Sequence, residues 1–172
     1  AGELAGFTQL VNVRGVNLVG GGTVDLANFA AKGGVNLTFG DSAGYAVIGT
    51  SASDSINDTN GNDSLYGGAG ADTLTSTSGS DLLSGGADND LLIVSGASVV
   101  KDTLDGGDGY DVLRLQGDAI DLSKATITGV ERIEVVASNL SMTAAQWSSL
   151  GGLVANTSGS PITYSVTMTS PG

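Results

Sequence analysis

Cysteine and histidine are both missing from the 172-residue sequence, and each absence closes a branch of chemistry. Without Cys no disulfide can staple the fold, so its stability must come from elsewhere. With neither residue, a zinc site loses its usual ligands and a serine nucleophile has no imidazole base. The GxSxG run Gly40, Asp41, Ser42, Ala43, Gly44 is therefore set aside as a nucleophile elbow, since strand-like residues rather than a helix follow it. No GxxxxGKS/T phosphate loop occurs either. The chain is expected not to be an enzyme. Basic residues are scarce, with 6 Lys+Arg against 18 Asp+Glu and a net charge of −12. Such a polyanion repels nucleic acid and anionic lipid, so neither is an expected partner. Proline occurs only twice, so the 28 glycines do not belong to a Pro-rich linker. No apolar run is long enough for a transmembrane segment, and no basic-then-apolar leader opens the chain. A start at Ala1 rather than Met fits a processed product or an excised fragment.

Glutamate is also rare, confined to Glu3, Glu131 and Glu134, so nearly all the acid is aspartate. Asp favours turns and hard-cation coordination, and the natural partner of clustered Asp is a divalent cation. A mean hydropathy of +0.18 with 40% apolar residues argues for ordered structure. Set in rows of nine, the middle of the chain reads GTSASDSIN (49–57), DTNGNDSLY (58–66), GGAGADTLT (67–75), STSGSDLLS (76–84) and GGADNDLLI (85–93). Three extra residues, 94–96, precede ASVVKDTLD (97–105) and GGDGYDVLR (106–114). The sixth place is always Asp: Asp54, Asp63, Asp72, Asp81, Asp90, Asp102 and Asp111. The eighth is always aliphatic: Ile56, Leu65, Leu74, Leu83, Leu92, Leu104 and Leu113. Each row predicts a Gly-permitted turn and a short strand whose eighth residue faces inward. Successive turns then fall on opposite edges of a flattened coil, and each Asp stacks on the Asp two rows earlier.

The flanks resemble each other loosely. Each reads as a strand, a short helical turn ended by Gly-Gly, and another strand: 6–13, 23–29 and 33–35 at one end, 129–136, 143–147 and 151–153 at the other. Ser141 or Thr143 is the expected helix N-cap and Gly151 the C-cap. Trp147, with Leu140 and Leu150, is read as core of the second flank. The expected organisation is a β-rich cap at 1–48, a repeat roll at 49–114 and a second cap with a short helix at 115–172.

Rows 67–75, 85–93 and 106–114 resemble the GGxGxDxUx motif of RTX proteins, whose nonapeptides form a calcium-binding parallel β-roll. The resemblance implies an all-β solenoid with Ca²⁺ between turns. In that family an ion takes the second and fourth carbonyls and the sixth Asp of one turn, with the first and third carbonyls and the Asp of the turn two rows later. Carried over, one edge pairs Thr50, Ala52 and Asp54 with Gly67, Ala69 and Asp72. Next come Gly68, Gly70 and Asp72 with Gly85, Ala87 and Asp90, then Gly86, Asp88 and Asp90 with Gly106, Asp108 and Asp111. The opposite edge offers Thr59, Gly61 and Asp63 against Ser76, Ser78 and Asp81. A further pairing of Thr77, Gly79 and Asp81 with Ala97, Val99 and Asp102 is spoiled by Val99, Val100, Lys101 and the insertion at 94–96. About four Ca²⁺ ions are thus expected. Whether the Asp108 side chain adds a ligand or faces water is left open, and Asp88 stands where a Gly is usual.

Stacked carboxylates some 5 Å apart would repel by roughly 1–3 kcal/mol per pair, a penalty that an ion between them converts into coordination. The competing readings are a flexible linker, disfavoured by the two matched columns, and a metal-free solenoid. The second is disfavoured because Asp recurs where Asn would serve a turn equally well. The resemblance implies a calcium-dependent structural module of a secreted bacterial surface protein, of S-layer, adhesin or matrix type, exported by type I secretion. Its expected partners are calcium and copies or neighbouring modules of the same protein. An accessory roll of a secreted protease, lipase or toxin, or a ligand-binding adhesin domain, are the alternatives.

Overall fold

The computed structural model describes residues 14–18, 20–28, 33–39, 42–58, 60–96, 101–136, 139–150, 154–156 and 163–167. Among them the backbone winds as a solenoid whose strands are dealt mainly to two sheets. One sheet holds, in spatial order, β1 (Arg14–Leu18), β3 (Asn36–Phe39), β5 (Ser55–Asn57), β7 (Thr73–Ser76), β9 (Leu91–Ser95), β11 (Val112–Gln116), β14 (Arg132–Val135) and β16 (Val154–Asn156). The other holds β2 (Gly22–Asp25), β4 (Tyr45–Ile48), β6 (Ser64–Ala69), β8 (Leu82–Ala87), β10 (Thr103–Asp108) and β13 (Thr126–Thr128). A third sheet of β12 (Ala119–Asp121), β15 (Asn139–Thr143) and β17 (Thr163–Thr167) forms towards the C-terminus. Neighbouring strands are parallel throughout, as in β5–β7–β9–β11 and β4–β6–β8–β10. The chain is an all-β parallel roll, as its repeats predict.

The register follows the nine-residue rows. Ser55 faces Thr73, Thr73 faces Leu91, and Leu91 faces Val112, so equivalent places stack. The eighth-place residues Ile56, Leu65, Leu74, Leu83, Leu92, Leu104 and Leu113 are all fully buried and form the spine of one core. Each contributes roughly 1.5–3 kcal/mol through apolar burial. The inserted Val94 does not break this spine. It prolongs β9 by pairing with Ser76 and Leu115, and it is itself fully buried.

Inward-facing positions do not end at the eighth place. Strands β6, β8 and β10 run on into the next row, and their alternation also turns the first-place residues Gly67, Gly85 and Gly106 inward. There is room there only for hydrogen. A Cβ on Gly67 would meet Asp72 Oδ2 and stand 2.6 Å from the Gly85 carbonyl oxygen, and one on Gly85 would stand 2.5 Å from that of Gly106.

The flanks depart from expectation in two places. Thr23–Asp25 belongs to strand β2 and not to a helical turn; Thr23 and Val24 are β-branched, and the chain turns only at Ala27 and Asn28. The expected strands at 6–13 and 151–153 lie outside the described residues, and so does the C-cap Gly151. Thr143 is the N-cap of α1 (Ala144–Ser149), in a reciprocal capping box with Gln146. Trp147 is not core: it is exposed on α1, whereas Leu140, Met142 and Leu150 are buried.

Two turn positions make the backbone constraint testable. Gly86 has φ 113° and a Cβ there would collide with the Gly68 carbonyl, while Asp88 already holds φ 77° as the one positive-φ non-glycine among the described residues. Gly86→Ala is expected to lower the calcium-loaded stability by about 2 kcal/mol or more, and Asp88→Gly to change it by less than about 1 kcal/mol. Urea unfolding midpoints measure both; equal effects would show that turn geometry does not limit the fold.

Candidate metal centre

Each sixth-place Asp sits where a turn hands the chain from one sheet to the other, and all seven are buried. On the first edge their carboxylates form a ladder. The backbone N–H of Val35 donates to Asp54 Oδ1 (2.7 Å), that of Asp54 to Asp72 Oδ1 (2.7 Å), that of Asp72 to Asp90 Oδ1 (2.8 Å), and that of Asp90 to Asp111 Oδ1 (2.7 Å). The rungs are 18, 19 or 21 residues apart, one full coil. Backbone donors thus satisfy one oxygen of each carboxylate. The other oxygen is a different matter: Oδ2 of Asp72, Asp90 and Asp111 is buried and accepts no hydrogen bond. Burying an acceptor without a donor costs about 1–3 kcal/mol, more for a charged group. Asp54 is the exception, because the Thr50 N–H donates to its Oδ2 (2.6 Å) and the Thr50 hydroxyl to its Oδ1 (3.1 Å).

The first-place glycines show what these free oxygens face. The space a Gly67 Cβ would fill lies between Asp72 Oδ2 and the Gly85 carbonyl, and the same holds at Gly85 for Asp90 Oδ2 and the Gly106 carbonyl. Acceptors therefore face acceptors across each gap of the first edge. Carboxylate and carbonyl oxygens converging without a donor suit a hard divalent cation.

The second edge continues the ladder through Tyr45 N–H to Asp63 Oδ1 (2.7 Å), Asp63 N–H to Asp81 Oδ1 (2.9 Å) and Asp81 N–H to Asp102 Oδ1 (3.0 Å). Asp102 keeps its place despite the insertion at 94–96. First-place side chains, glycine on the other edge, here point into the column. Asp58 is buried, and a carboxylate oxygen of each of Asp58, Asp63 and Asp81 lies within 4.8 Å of the others. Asp58 Oδ1 takes hydrogen bonds from the N–H (2.8 Å) and hydroxyl (3.1 Å) of Thr77, and its buried Oδ2 takes none. One coil on, the Ser76 hydroxyl lies 2.9 Å from Asp81 Oδ2 and 3.0 Å from Asp102 Oδ2. Two carboxylates share one hydroxyl there.

Burial dominates the electrostatics. Desolvation, reinforced by Asp81, pushes Asp58 up to about 7. Desolvation, reinforced by the charges of Asp54, Asp90 and Asp88, pushes Asp72 up to about 7 against the hydrogen bond from Asp54. Asp90 is pushed up to about 6 by burial, and Asp102 and Asp111 are raised for the same first reason. Without a cation, Asp58 and Asp72 hold their protons to about 7 and Asp90 to about 6.

A parallel β-roll with acceptor-lined columns of buried aspartate at both edges is the fold of a calcium-binding repeat domain. The family model for the RTX calcium-binding nonapeptide repeat (4 copies) matches residues 48–83, 69–96 and 101–119. The matched residues are RTX calcium-binding repeats, and Ca²⁺ is the ion they imply. No curated protein and no solved structure matches the chain significantly.

The residues expected as ligands fall on the two edges as follows. Thr50, Ala52, Asp54, Gly67, Gly68, Ala69, Gly70, Asp72, Gly85, Gly86, Ala87, Asp88, Asp90, Gly106, Asp108 and Asp111 line the first edge, and Gly61, Asp63, Ser76, Ser78 and Asp81 the second. Thr59 lies outside the described residues. Asp108 is exposed. The repeat pattern does not point to Asp58, because its row places it where a carbonyl, not a side chain, is the expected ligand. The inward alternation of first places was the signal that finds it.

The raised pKa values fix the sign of a pH effect. Unfolded Asp ionises near 4, whereas Asp58 and Asp72 in the ion-free roll hold their protons to about 7. Stability of the calcium-free roll is therefore greatest below about pH 4 and is lost as pH rises through about 7. Calcium affinity runs the other way, falling as pH drops through 7 to 6, because protons compete for the same oxygens. Thermal melts in chelator and calcium titrations at pH 5, 6, 7 and 8 are expected to show these opposite slopes; parallel slopes would place the proton uptake elsewhere.

Proposed function

We propose that this chain is a calcium-dependent structural module of a secreted bacterial surface protein, ordered by Ca²⁺ once outside the cell. The observation that carries the reading is the set of buried Asp Oδ2 atoms facing carbonyl oxygens with no donor between them. Four ions are proposed. Three lie on the first edge between Asp54 and Asp72, Asp72 and Asp90, and Asp90 and Asp111, with the turn carbonyls named above. One lies on the second edge between Asp63 and Asp81, with Asp58 as a third carboxylate. The Asp81–Asp102 gap is assigned to the Ser76 hydroxyl instead of an ion. Residues 1–48 and 115–172 serve as the two caps.

In a calcium-poor cytosol the ionised columns repel and the chain stays extended and exportable; in millimolar external calcium each ion draws two coils together. At free calcium ten times Kd a site adds about 1.4 kcal/mol, so four add about 5–6 kcal/mol, comparable with a domain's net stability. The module then acts as stiffener, spacer or assembly surface, with no catalytic role. Among the described residues no helix is long and apolar enough to cross a membrane.

Circular dichroism with light scattering during a calcium titration tests this reading. Strand signal at pH 8 is expected to grow with calcium; a signal already complete in chelator at that pH would overturn calcium-gated folding. Constant particle size would make the module a monomeric spacer, and growth to large species a calcium-assembled lattice or fibre. Asp72→Ala and Asp90→Ala, which each serve two first-edge sites, are expected to raise the calcium midpoint at least tenfold, about 1.4 kcal/mol. Asp102→Ala is expected to move it far less, and equal shifts would refute the assignment of unequal edges.

A further inference from the structure

The first-edge ladder does not stop with the last repeat. The backbone N–H of Asp111 donates to Glu131 Oε2 at 2.8 Å, the same bond that each earlier Asp makes to the carboxylate of the next coil. Glu131 immediately precedes Arg132, which pairs with Val112, so it stands in the register place of a sixth-place Asp. The glycine column continues too: a Cβ on Gly106 would meet the Gly129 carbonyl and stand 2.7 Å from Asp111 Oδ2, repeating the crowding at Gly67 and Gly85. Asp111 is 0% exposed, and its Oδ2 accepts no hydrogen bond.

The turn between these marks is shorter than in the repeats. Four residues separate Gly106 from Asp111, whereas only Val130 separates Gly129 from Glu131. A shortened turn sets the backbone differently, and the extra methylene of Glu lets its carboxylate reach the Asp111 N–H. Val130 is buried beneath it. The same turn is crowded: the Gly107 nitrogen lies 2.7 Å, Asp105 Oδ1 3.0 Å and the Gly107 carbonyl 3.2 Å from the place of a Gly129 Cβ, and the Thr128 hydroxyl donates to Asp105 Oδ1 at 2.9 Å. The nearby arginines are engaged elsewhere, Arg114 and Arg132 both pairing with Glu134 (2.8 and 3.1 Å). The second edge offers no such continuation, since the residue stacked beyond Asp102 is Ala125.

We infer that Asp111, Glu131 and the Gly129 carbonyl form a further calcium site beyond the last repeat, closing the ion column of the first edge. It rests on the reading of the roll as calcium-loaded and extends that column by one coil. Glu131 contributes through its carboxylate while its Oε2 also holds the Asp111 N–H, and the shortened turn leaves the remaining coordination places to water.

The test is the stoichiometry of calcium bound by the full chain, from isothermal titration and equilibrium dialysis, for the unmodified chain and Glu131→Gln. The Gln side chain keeps an oxygen to accept the Asp111 N–H but loses the charge. One ion fewer, or one site weakened at least tenfold, with the remaining sites and the strand signal at saturating calcium unchanged, is the expected result. Unchanged stoichiometry and affinities would overturn the site. So would loss of strand signal at saturating calcium, since Glu131 would then be a backbone cap alone. If the unmodified chain takes up no calcium, the reading of the whole roll falls, an outcome separate from the behaviour of Glu131→Gln.

Discussion

Everything in this fold depends on a carboxylate buried with only one of its oxygens satisfied. A backbone N–H from the preceding coil holds Oδ1 of each first-edge aspartate at 2.7–2.8 Å. The same bond aims Oδ2 of Asp72, Asp90 and Asp111 into a gap lined by carbonyls. Geometry that supports one half of the carboxylate strands the other half. Protonation or a divalent cation can relieve the conflict, and pKa values raised toward neutrality show how strongly the site favours relief. A buried charge that is neither paired nor coordinated costs more than a single leucine per row returns.

The two edges solve this problem with different first-place residues. Glycine at Gly67, Gly85 and Gly106 leaves the gap to backbone oxygens, because any Cβ would fill it. On the other edge Asp58 and Ser76 put side chains into the corresponding space, one adding a carboxylate and the other a hydroxyl. The substitution Gly to Asp at one place changes a carbonyl-walled gap into a three-carboxylate cluster, and Gly to Ser bridges two carboxylates through a neutral group. The strand alternation that turns this place inward is common to both edges, so side-chain chemistry alone separates them.

The columns at the sixth and eighth places made the solenoid and its spine legible in the sequence, because periodic burial is written directly in residue type. Stacking of each Asp on the one two rows earlier followed from the same period, and the hydrogen bonds obey it through the insertion at 94–96. What escaped the sequence depended on direction or length. Asp58 looked like a turn residue until the strand phase showed its side chain facing inward. Glu131 lies outside the nine-residue rhythm, because its turn is shortened and its role passes to a longer side chain. Thr23–Asp25 read as helical by likeness to the other flank, whereas β-branched residues and pairing with β4 make it a strand. Trp147 reads as core beside Leu140 and Leu150, yet it stands exposed on the short α1, none of whose residues is buried, while Leu140 and Met142 are buried.

Sharing makes the columns cooperative. Each interior Asp of the first edge belongs to two gaps, so an ion placed between Asp72 and Asp90 orders the carboxylate that the next ion needs. Stability in such a stack is a sum of weak coils and strong neighbour terms, and order spreads from any nucleus along the axis. The N-terminal end of the column is quiet, since Thr50 satisfies both oxygens of Asp54 within its own turn. At the other end Asp111 is fully buried with one oxygen still free. A column satisfied by hydrogen bonds at Asp54 and holding unpaired oxygens from Asp72 to Asp111 has a direction, so the coils from Asp72 onward gain more from an ion than the first coil does.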